Sequence, residues 1–504
     1  MKLTDLNTLA DTIRELKEQG KTVVHCHGVF DLLHIGHIRY FEEAASMGDV
    51  LVVTVTPDRF VDKGPYRPAF PEELRAEAVA SLKMVHYAAI NAWPTAEETL
   101  RLLRPDVYVK GSEFKKLVSD KTGKIQREND VVDEIGARIA FTHDIVFSSS
   151  NLINRYLSNL PREIDDYIKL FRTRNSLSEI TQLLERMAEL RVLVIGDTIL
   201  DEYQYCEPMG KSTKDPVLTV KYQSRDLFAG GVLAVANHVA NFAGLVQLVT
   251  VIGERDSHEA FIRSQLKDNV ALYHEVQKGA PTLIKRRFVD GYSFNKMFEV
   301  YIMDDSGLCK EKESIMCQWL EGNIDKYDLV IASDFGHGAI SDAIVSLLCE
   351  KSLFLAVNAQ ANSGNRGFHT VTRYQRADYA CIAEHEIRLE MRNKNGSIQP
   401  MMQKLSAHLG TKQFVVTRGR KGNVVMNDTG VSVDVPAFAT HVVDRVGAGD
   451  TVFSLTAMAS YLGASDEVIG FLGNVVGAIS VGVIGNKKSI DKLSLNTFLT
   501  SLLK

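Results

Sequence analysis

At 504 residues the chain is too long for one ordinary core, and a span of roughly 100–200 residues per domain predicts two to four domains. Hydrophobic residues at 45% and charged residues at 24% are the balance of a soluble globular protein, which excludes fibrous and disordered classes. A formal charge of -5 supplies no overall basic field, which argues against nucleic acid as a partner and leaves nucleotides open as small ligands.

Residues 3–17 have helical spacing and too many charges for a secretory leader. Residues 22–26 read as a short buried strand, 51–56 as a second, 72–82 as a helix, and 107–109 as a third strand ahead of Lys110-Gly111. Strands alternating with helices predict a parallel sheet with crossover helices. Residues 151–190 turn helical and highly charged, which suits a connection between domains. Residues 191–195 then form a new first strand opening onto Gly196-Asp197, and apolar runs follow at 248–252, 329–332, 353–357 and 414–417. The expected division is therefore an α/β domain over 1–155, a helical linker over 156–190, and a second α/β domain over 191–504. Residues 471–484 are apolar but broken by Asn474 and glycines and shorter than a membrane span, so a buried helix is expected and no membrane partner. Cys26, Cys206, Cys309, Cys317, Cys349 and Cys381 lack C-x-x-C spacing, which argues against a zinc site and a disulfide framework and places the chain in a reducing cytoplasm.

Two segments carry chemistry. The first, Gly28-Val29-Phe30-Asp31-Leu32-Leu33-His34-Ile35-Gly36-His37, lies between a strand and a helix start. A helix N-terminus offers N–H groups and partial positive charge to a phosphate, and glycines let that phosphate approach the backbone. His34 and His37 could add donors as charge builds on it, or could be plain helix-start residues. The second is Val442-Val443-Asp444-Arg445-Val446-Gly447-Ala448-Gly449-Asp450-Thr451. A turn of three small residues can aim backbone N–H groups at an anion while Asp450 takes a hydroxyl proton; the bland alternative is a glycine turn capped by an aspartate.

With these residues in view, 22–156 resemble the cytidylyltransferase-like nucleotidyltransferases, especially that half of the bifunctional heptose kinase/adenylyltransferases. The resemblance also rests on Lys63-Gly64, Arg67-Pro68, Arg75, Arg104-Pro105-Asp106, Lys110-Gly111, Ser148-Ser149-Ser150 and Arg155. It implies an HxGH-type Rossmann-like domain in which His34, His37 and Lys63 act on the triphosphate. Gly28, Phe30, Lys110, Ser148, Ser149, Ser150 and Arg155 would bind the nucleotide. Taken alone, Lys63 and Arg75 read as solvated surface charges, and 114–128 as an insertion, either a lid or a loop.

Residues 191–504 resemble the ribokinase-like (PfkB) carbohydrate kinases, through Gly196-Asp197 to Asp201, Asp215-Pro216-Val217, Gly230-Gly231 with Asn237, Pro281-Thr282 with Lys285, Ser333-Asp334, Thr417-Arg418-Gly419 and the glycine turn. The resemblance implies Asp450 as general base and Gly447, Ala448 and Gly449 as anion hole. Asp201, Gly230, Gly231, Asn237 and Lys285 would face the sugar, and Thr417, Gly419 and Asn474 the ATP. From the residues alone Asp201 could cap a helix, and Asn237 and Asn474 could be satisfied core amides. The usual Asn-x-x-Glu reads Ala383-Glu384-His385-Glu386, leaving Glu386 to hold magnesium through water; Val446 replaces a common threonine, and His337 a usual lysine. The transferase-like half precedes the kinase-like half, the opposite of the order in the familiar heptose enzymes. The expectation is a cytoplasmic, magnesium-dependent bifunctional enzyme, with a kinase using ATP, a transferase using ATP or CTP, a sugar or sugar phosphate as substrate, and a homodimeric state. The competing reading is one active transferase beside a kinase-like domain kept for sensing or oligomerisation.

Overall fold

β-branched runs alternating with amphipathic helices give two separate parallel sheets. The computed structural model describes residues 2–61, 67–111, 124–142, 160–304 and 306–503. The chain divides into two compact units, Met1–Pro161 with Thr497–Lys504, and Arg162–Asn496.

In the first unit β1 (Val23–Gly28), β2 (Val50–Val55), β3 (Tyr87–Ile90), β4 (Val107–Lys110) and β5 (Arg138–Phe141) pair in the order β3-β2-β1-β4-β5, all parallel. β2 is buried along its whole length, as a parallel strand covered on both faces requires. The chain winds outward from β1 in both directions, so the carboxyl end of β1 is a switch point where an α/β sheet opens a crevice. The Gly28 to His37 segment leaves the sheet there.

In the second unit β6 (Arg191–Lys211) does two jobs. Its first residues pair in parallel with β8 (Leu245–Arg255) and β12 (Leu329–Asp334). The central sheet continues through β13 (Leu355–Ala359), β14 (Tyr379–Ala383) and β15 (Gln413–Thr417), then antiparallel through β16 (Asn423–Asn427) and β17 (Ser432–Val435); β9 (Val270–Pro281) extends it beyond β8. From Thr198 onward β6 pairs instead with β7 (Leu218–Gly231), antiparallel, and β10 (Ile284–Asp290), parallel, and β11 (Lys296–Ile302) closes this smaller layer. The sequence pattern predicts only 191–195 as strand. Beyond it polar residues mix with apolar ones, and the extended state is fixed by partners remote in sequence. The helices Ala448–Tyr461 and Asp466–Ser480 pack together, the first buried from Asp450 to Ser460 and the second from Ile469 to Val476, within the apolar run expected to be a buried helix.

The expected linker is corrected from Arg162 onward. The helix Arg162–Arg172 belongs to the second unit: Phe171 stacks on Phe471 with ring centroids 4.1 Å apart, Tyr167 packs on Phe438, and Arg174 and Asn175 reach Glu467. Its charges form the outer face of an amphipathic helix whose inner face is Ile164, Ile168 and Phe171.

Candidate active sites

The loop after β1 passes through Phe30, whose φ of 48° lies in the left-handed region and is costly for a residue with a side chain. Buried charge holds it. Arg75 is 2% exposed, not a surface cation; it donates to the carbonyls of Val29, Thr56 and Phe70 and pairs with Asp58. Asp31, also buried, accepts from Arg67 Nε and the Ala69 amide, both at 2.5 Å. Gly28 has a different role from the expected phosphate approach: a Cβ there would sit 2.9 Å from the Phe30 ring, so the missing side chain makes room for that ring.

His34 caps the helix Ile35–Ala45 by accepting the Gly36 N–H on Nδ1 at 3.0 Å, which assigns the proton of the neutral ring to Nε2. Burial lowers its pKa and favours that neutral form. The His37 ring lies 4.1 Å from the His34 ring, centroid to centroid, and edge-on to Phe30. Both imidazoles therefore share the helix start at the carboxyl end of β1. Lys110 departs from expectation. It pairs with buried Glu128 at 2.7 Å, and Tyr108 donates to the same carboxylate, so its charge is compensated within the fold. Lys63, Ser148, Ser149, Ser150 and Arg155, with most of the expected insertion, lie outside the described residues.

In the second unit Asp201 sits on β6 between Lys285 of β10 and Phe228 of β7. Arg287 pairs with one of its oxygens and Asn486 Nδ2 donates to the other at 3.1 Å. A Cβ on Gly230 would meet Asp201 Oδ2 at 2.1 Å, so only glycine leaves space for this carboxylate. Gly447 has φ 81°, and a Cβ on it would fall 2.1 Å from Asn486 Oδ1. Asn486 thus touches the Asp201 carboxylate and the Gly447 turn together. Sequence reasoning passed over it because Gly485-Asn486 signals only a turn.

Asp450 opens the helix Ala448–Tyr461 and is buried; burial, then the Asp201 charge, push its carboxyl up to about 7. Lys285 on β10 is 5% exposed, and burial lowers its pKa against the opposing pull of Asp201. Its ammonium lies 5.2 Å from the Tyr301 ring centre. Asp197 accepts the amides of Phe335, His337 and Ala339 at 2.9–3.3 Å and so shapes the segment beyond β12. His337 is pushed down to about 3 by burial and by Lys285, so it is held neutral.

Asp444 begins the segment that ends in the glycine turn, and nothing in the sequence shows its part in it. It accepts from Lys296 Nζ and Tyr203 Oη, both at 2.6 Å, and from the amides of Arg445, Val446 and Gly485. Burial raises its pKa, yet Lys296 and Tyr203 outweigh that and hold it below the usual value.

A cleft of about 1300 Å³ joins Asp450 to Thr417, Gly419, Asn474 and Glu386. Asn474 stands on its wall while donating to the Val435 carbonyl at 3.0 Å. Asn237 is corrected: its amide bonds the Gln265 carbonyl and the Lys267 N–H, holding a turn instead of facing a sugar. Glu386 accepts from Ala361 N and Ala383 N, and burial raises its pKa. Among the described residues no cluster of three or more His, Cys, Asp or Glu could ligate a metal directly. A hydrated magnesium nonetheless fits this wall, because a hard cation that keeps its waters needs only oxygen acceptors around them, and Glu386 and the orphaned, buried Asn358 Oδ1 supply these.

Residues 189–493 match the pfkB family carbohydrate kinases, and residues 25–155 match the cytidylyltransferase-like family. The bifunctional protein HldE of Syntrophotalea carbinolica is 35% identical over 154 residues, which is 30% of this chain and 30% of that protein. HldE of Citrifermentans bemidjiense is 26% identical over 318 residues, 61% of this chain and 63% of that protein. The matched stretch thus spans between 30% and 63% of the length of these curated relatives. Phosphofructokinase-2 from Escherichia coli, solved with potassium, shares the fold: TM-score 0.52 at 13% identity, covering 63% of this chain and 100% of that one. With the larger of the two family matches spanning more than half of its length, the chain belongs to the pfkB family of carbohydrate kinases.

Proposed function

We propose that the chain is a bifunctional enzyme that phosphorylates a sugar or sugar phosphate with ATP and transfers a nucleotidyl group to a sugar phosphate, giving an activated, heptose-like nucleotide sugar for surface polysaccharide. The observation that carries it is Asp450, buried near Asp201 and beside the Gly447 turn, lining a cleft large enough for a nucleotide. A carboxyl poised near 7 can take a proton from an acceptor hydroxyl at neutral pH. As the acceptor oxygen bonds to the γ-phosphorus, the bond to ADP breaks, and the amides of Gly447, Ala448 and Gly449 receive the charge building on the phosphoryl oxygens. Asp201 and Lys285 orient the acceptor. Magnesium, when bound with ATP, neutralises the phosphates, and Glu386 would hold it through water. A buried, positioned base argues for an active kinase over a relic kept for sensing.

In the first unit His34 and His37 sit where the α-phosphate of a nucleoside triphosphate would rest on a helix start. An oxygen of the sugar phosphate attacks that phosphorus and pyrophosphate leaves. Lys63, Ser148 to Ser150 and Arg155 complete this site in our reading, with ATP or CTP as donor. Leu218, Tyr222, Phe298 and Val300 expose apolar surface on the smaller sheet, which suits a homodimer. All six cysteines are free, as in a reducing cytoplasm, and no helix of the described residues is long and apolar enough to cross a membrane.

The test is ADP formation from ATP against a panel of sugars and sugar phosphates, and pyrophosphate release from ATP and from CTP against sugar 1-phosphates. Activity in both assays is expected. Absence of both would sink the proposal, and release from one nucleotide alone names the base.

A further inference from the structure

Within the kinase reading, on which this inference rests, the Gly447 turn has to present its amides to the phosphoryl group in one orientation. Gly447 precedes the helix Ala448–Tyr461, and its carbonyl is held twice by one residue: the Thr451 N–H donates to it at 3.0 Å and the Thr451 hydroxyl at 2.9 Å. In a planar trans peptide C=O and N–H point in opposite directions, so pinning the Gly447 carbonyl aims the Ala448 N–H the other way. Ala448 lines the cleft, and its N–H makes only a long bond, 3.4 Å, to the Arg445 carbonyl, which a phosphoryl oxygen can displace.

A helix threonine commonly bonds the carbonyl four residues back, so the Thr451 contact alone would be ordinary. Behind it, however, lies a buried imidazole. His238, on the helix Val232–Ala240, is 3% exposed, and its Nδ1 faces the Ile490 N–H at 3.1 Å. A backbone N–H can only donate, so Nδ1 accepts and the proton of the neutral ring sits on Nε2. Burial keeps the ring neutral by lowering its pKa to about 4. Nε2 then donates to Thr451 Oγ1 at 3.1 Å. Ser480 Oγ, also 3.1 Å from Thr451 Oγ1, is left as a second donor to it, since the one hydroxyl proton of Thr451 goes to Gly447. Ile490 is itself anchored, its carbonyl accepting from Asn241 Nδ2 at 2.7 Å. Each proton along the chain from Ile490 through His238 and Thr451 to Gly447 thus has one direction, set by a backbone amide at one end and a backbone carbonyl at the other. We infer that His238 is a positioning residue for phosphoryl transfer: acting through Thr451, it fixes the Gly447–Ala448 peptide so that the Ala448 N–H is aimed at the charge that builds on the transferred group.

The experiment measures kcat and KM for the full chain with ATP and the acceptor found by the panel above, at a temperature where melting curves show every variant folded. His238→Asn keeps an oxygen where Nδ1 meets Ile490 but cannot reach Thr451, whereas His238→Gln places a donor where Nε2 was and gives up Ile490. With His238→Asn and with Thr451→Val, kcat should fall by about 10- to 100-fold, short of the roughly 10²–10³-fold that outright loss of an oxyanion donor costs, and KM for ATP should change little. His238→Gln should keep most of the wild-type kcat. Because both substitutions cut one chain, the double variant His238→Asn with Thr451→Val should fall no further than either alone. Wild-type kcat in His238→Asn or in Thr451→Val, equal losses in the Asn and Gln variants, or losses that multiply in the double variant would overturn the inference. Asp450→Asn in the same assay separates the two levels: if it is inactive while the His238 variants are not, the inference alone fails, and if it retains the wild-type rate the kinase reading fails as well.

Discussion

Burial and the Asp201 charge raise the Asp450 carboxyl to about 7, and it must be ionised before it can accept a proton from a hydroxyl. Since its pKa in the free enzyme is raised to about 7, the ionised fraction rises with pH, and kcat/KM for phosphorylation should climb about tenfold per pH unit below 7 and level off above it. Asp450→Asn keeps the size and removes the base: phosphorylation should fall by roughly 10²–10⁴-fold with ATP binding little changed, and the acidic limb should vanish from the profile. Nucleotidyl transfer should be intact. An unaltered rate of phosphorylation would refute the assignment. In the other unit, His37→Ala removes a donor at the helix start and should cost about 10²-fold or more in pyrophosphate release while sugar phosphorylation persists. Unchanged release would leave both histidines as helix-start residues.

Strands and turns with strong local patterns were legible from sequence: β1, β2, β4 and the glycine turn declare themselves through apolar runs or small residues. Arg75 was not, because nothing local distinguishes a cation that braces four acceptors from one in water. Asn486 was not, because its meaning lies in Asp201, a residue distant in sequence. The smaller sheet was missed for the same reason, since β7, β10 and β11 carry mixed polar and apolar residues and are ordered by pairing with the far half of β6.

That sheet also braces the glycine turn. Lys296 begins β11 and bonds Asp444, the residue from which the Arg445 to Gly449 turn is hung. Lys296→Met removes the cation but leaves Asp444 its hydrogen bonds from Tyr203 and from the amides of Arg445, Val446 and Gly485. With the lysine about one-third exposed, the pair is worth about 1 kcal/mol or less. Because the folded-state pKa of Asp444 is depressed, the stabilisation is present above about pH 4 and is lost as pH falls through the depressed value. Urea unfolding should therefore show wild type more stable than Lys296→Met at pH 7, with the gap closing on acidification. A gap that widens in acid would contradict the role given to Lys296.

At the scale of the molecule, two sheets without a shared strand predict two folding units, and the packing of the helix Arg162–Arg172 decides where they part. Phe171 and Phe471 are both fully buried and stacked, and Phe438 closes over them. Removing a buried aromatic ring costs about 3–5 kcal/mol. Calorimetry of the full chain should thus show two transitions, with Phe171→Ala lowering only one of them, the one that ATP and sugar raise together. Cutting the chain between 172 and 176 would strip Phe171 from its partners, whereas cutting between 161 and 162 keeps the helix with the unit it covers. Residues 162–504 should consequently melt cooperatively and phosphorylate sugar, while residues 176–504 should melt much lower or aggregate from the exposed Phe438 and Phe471. Equal melting temperatures for the two fragments would show that the helix is a connection after all.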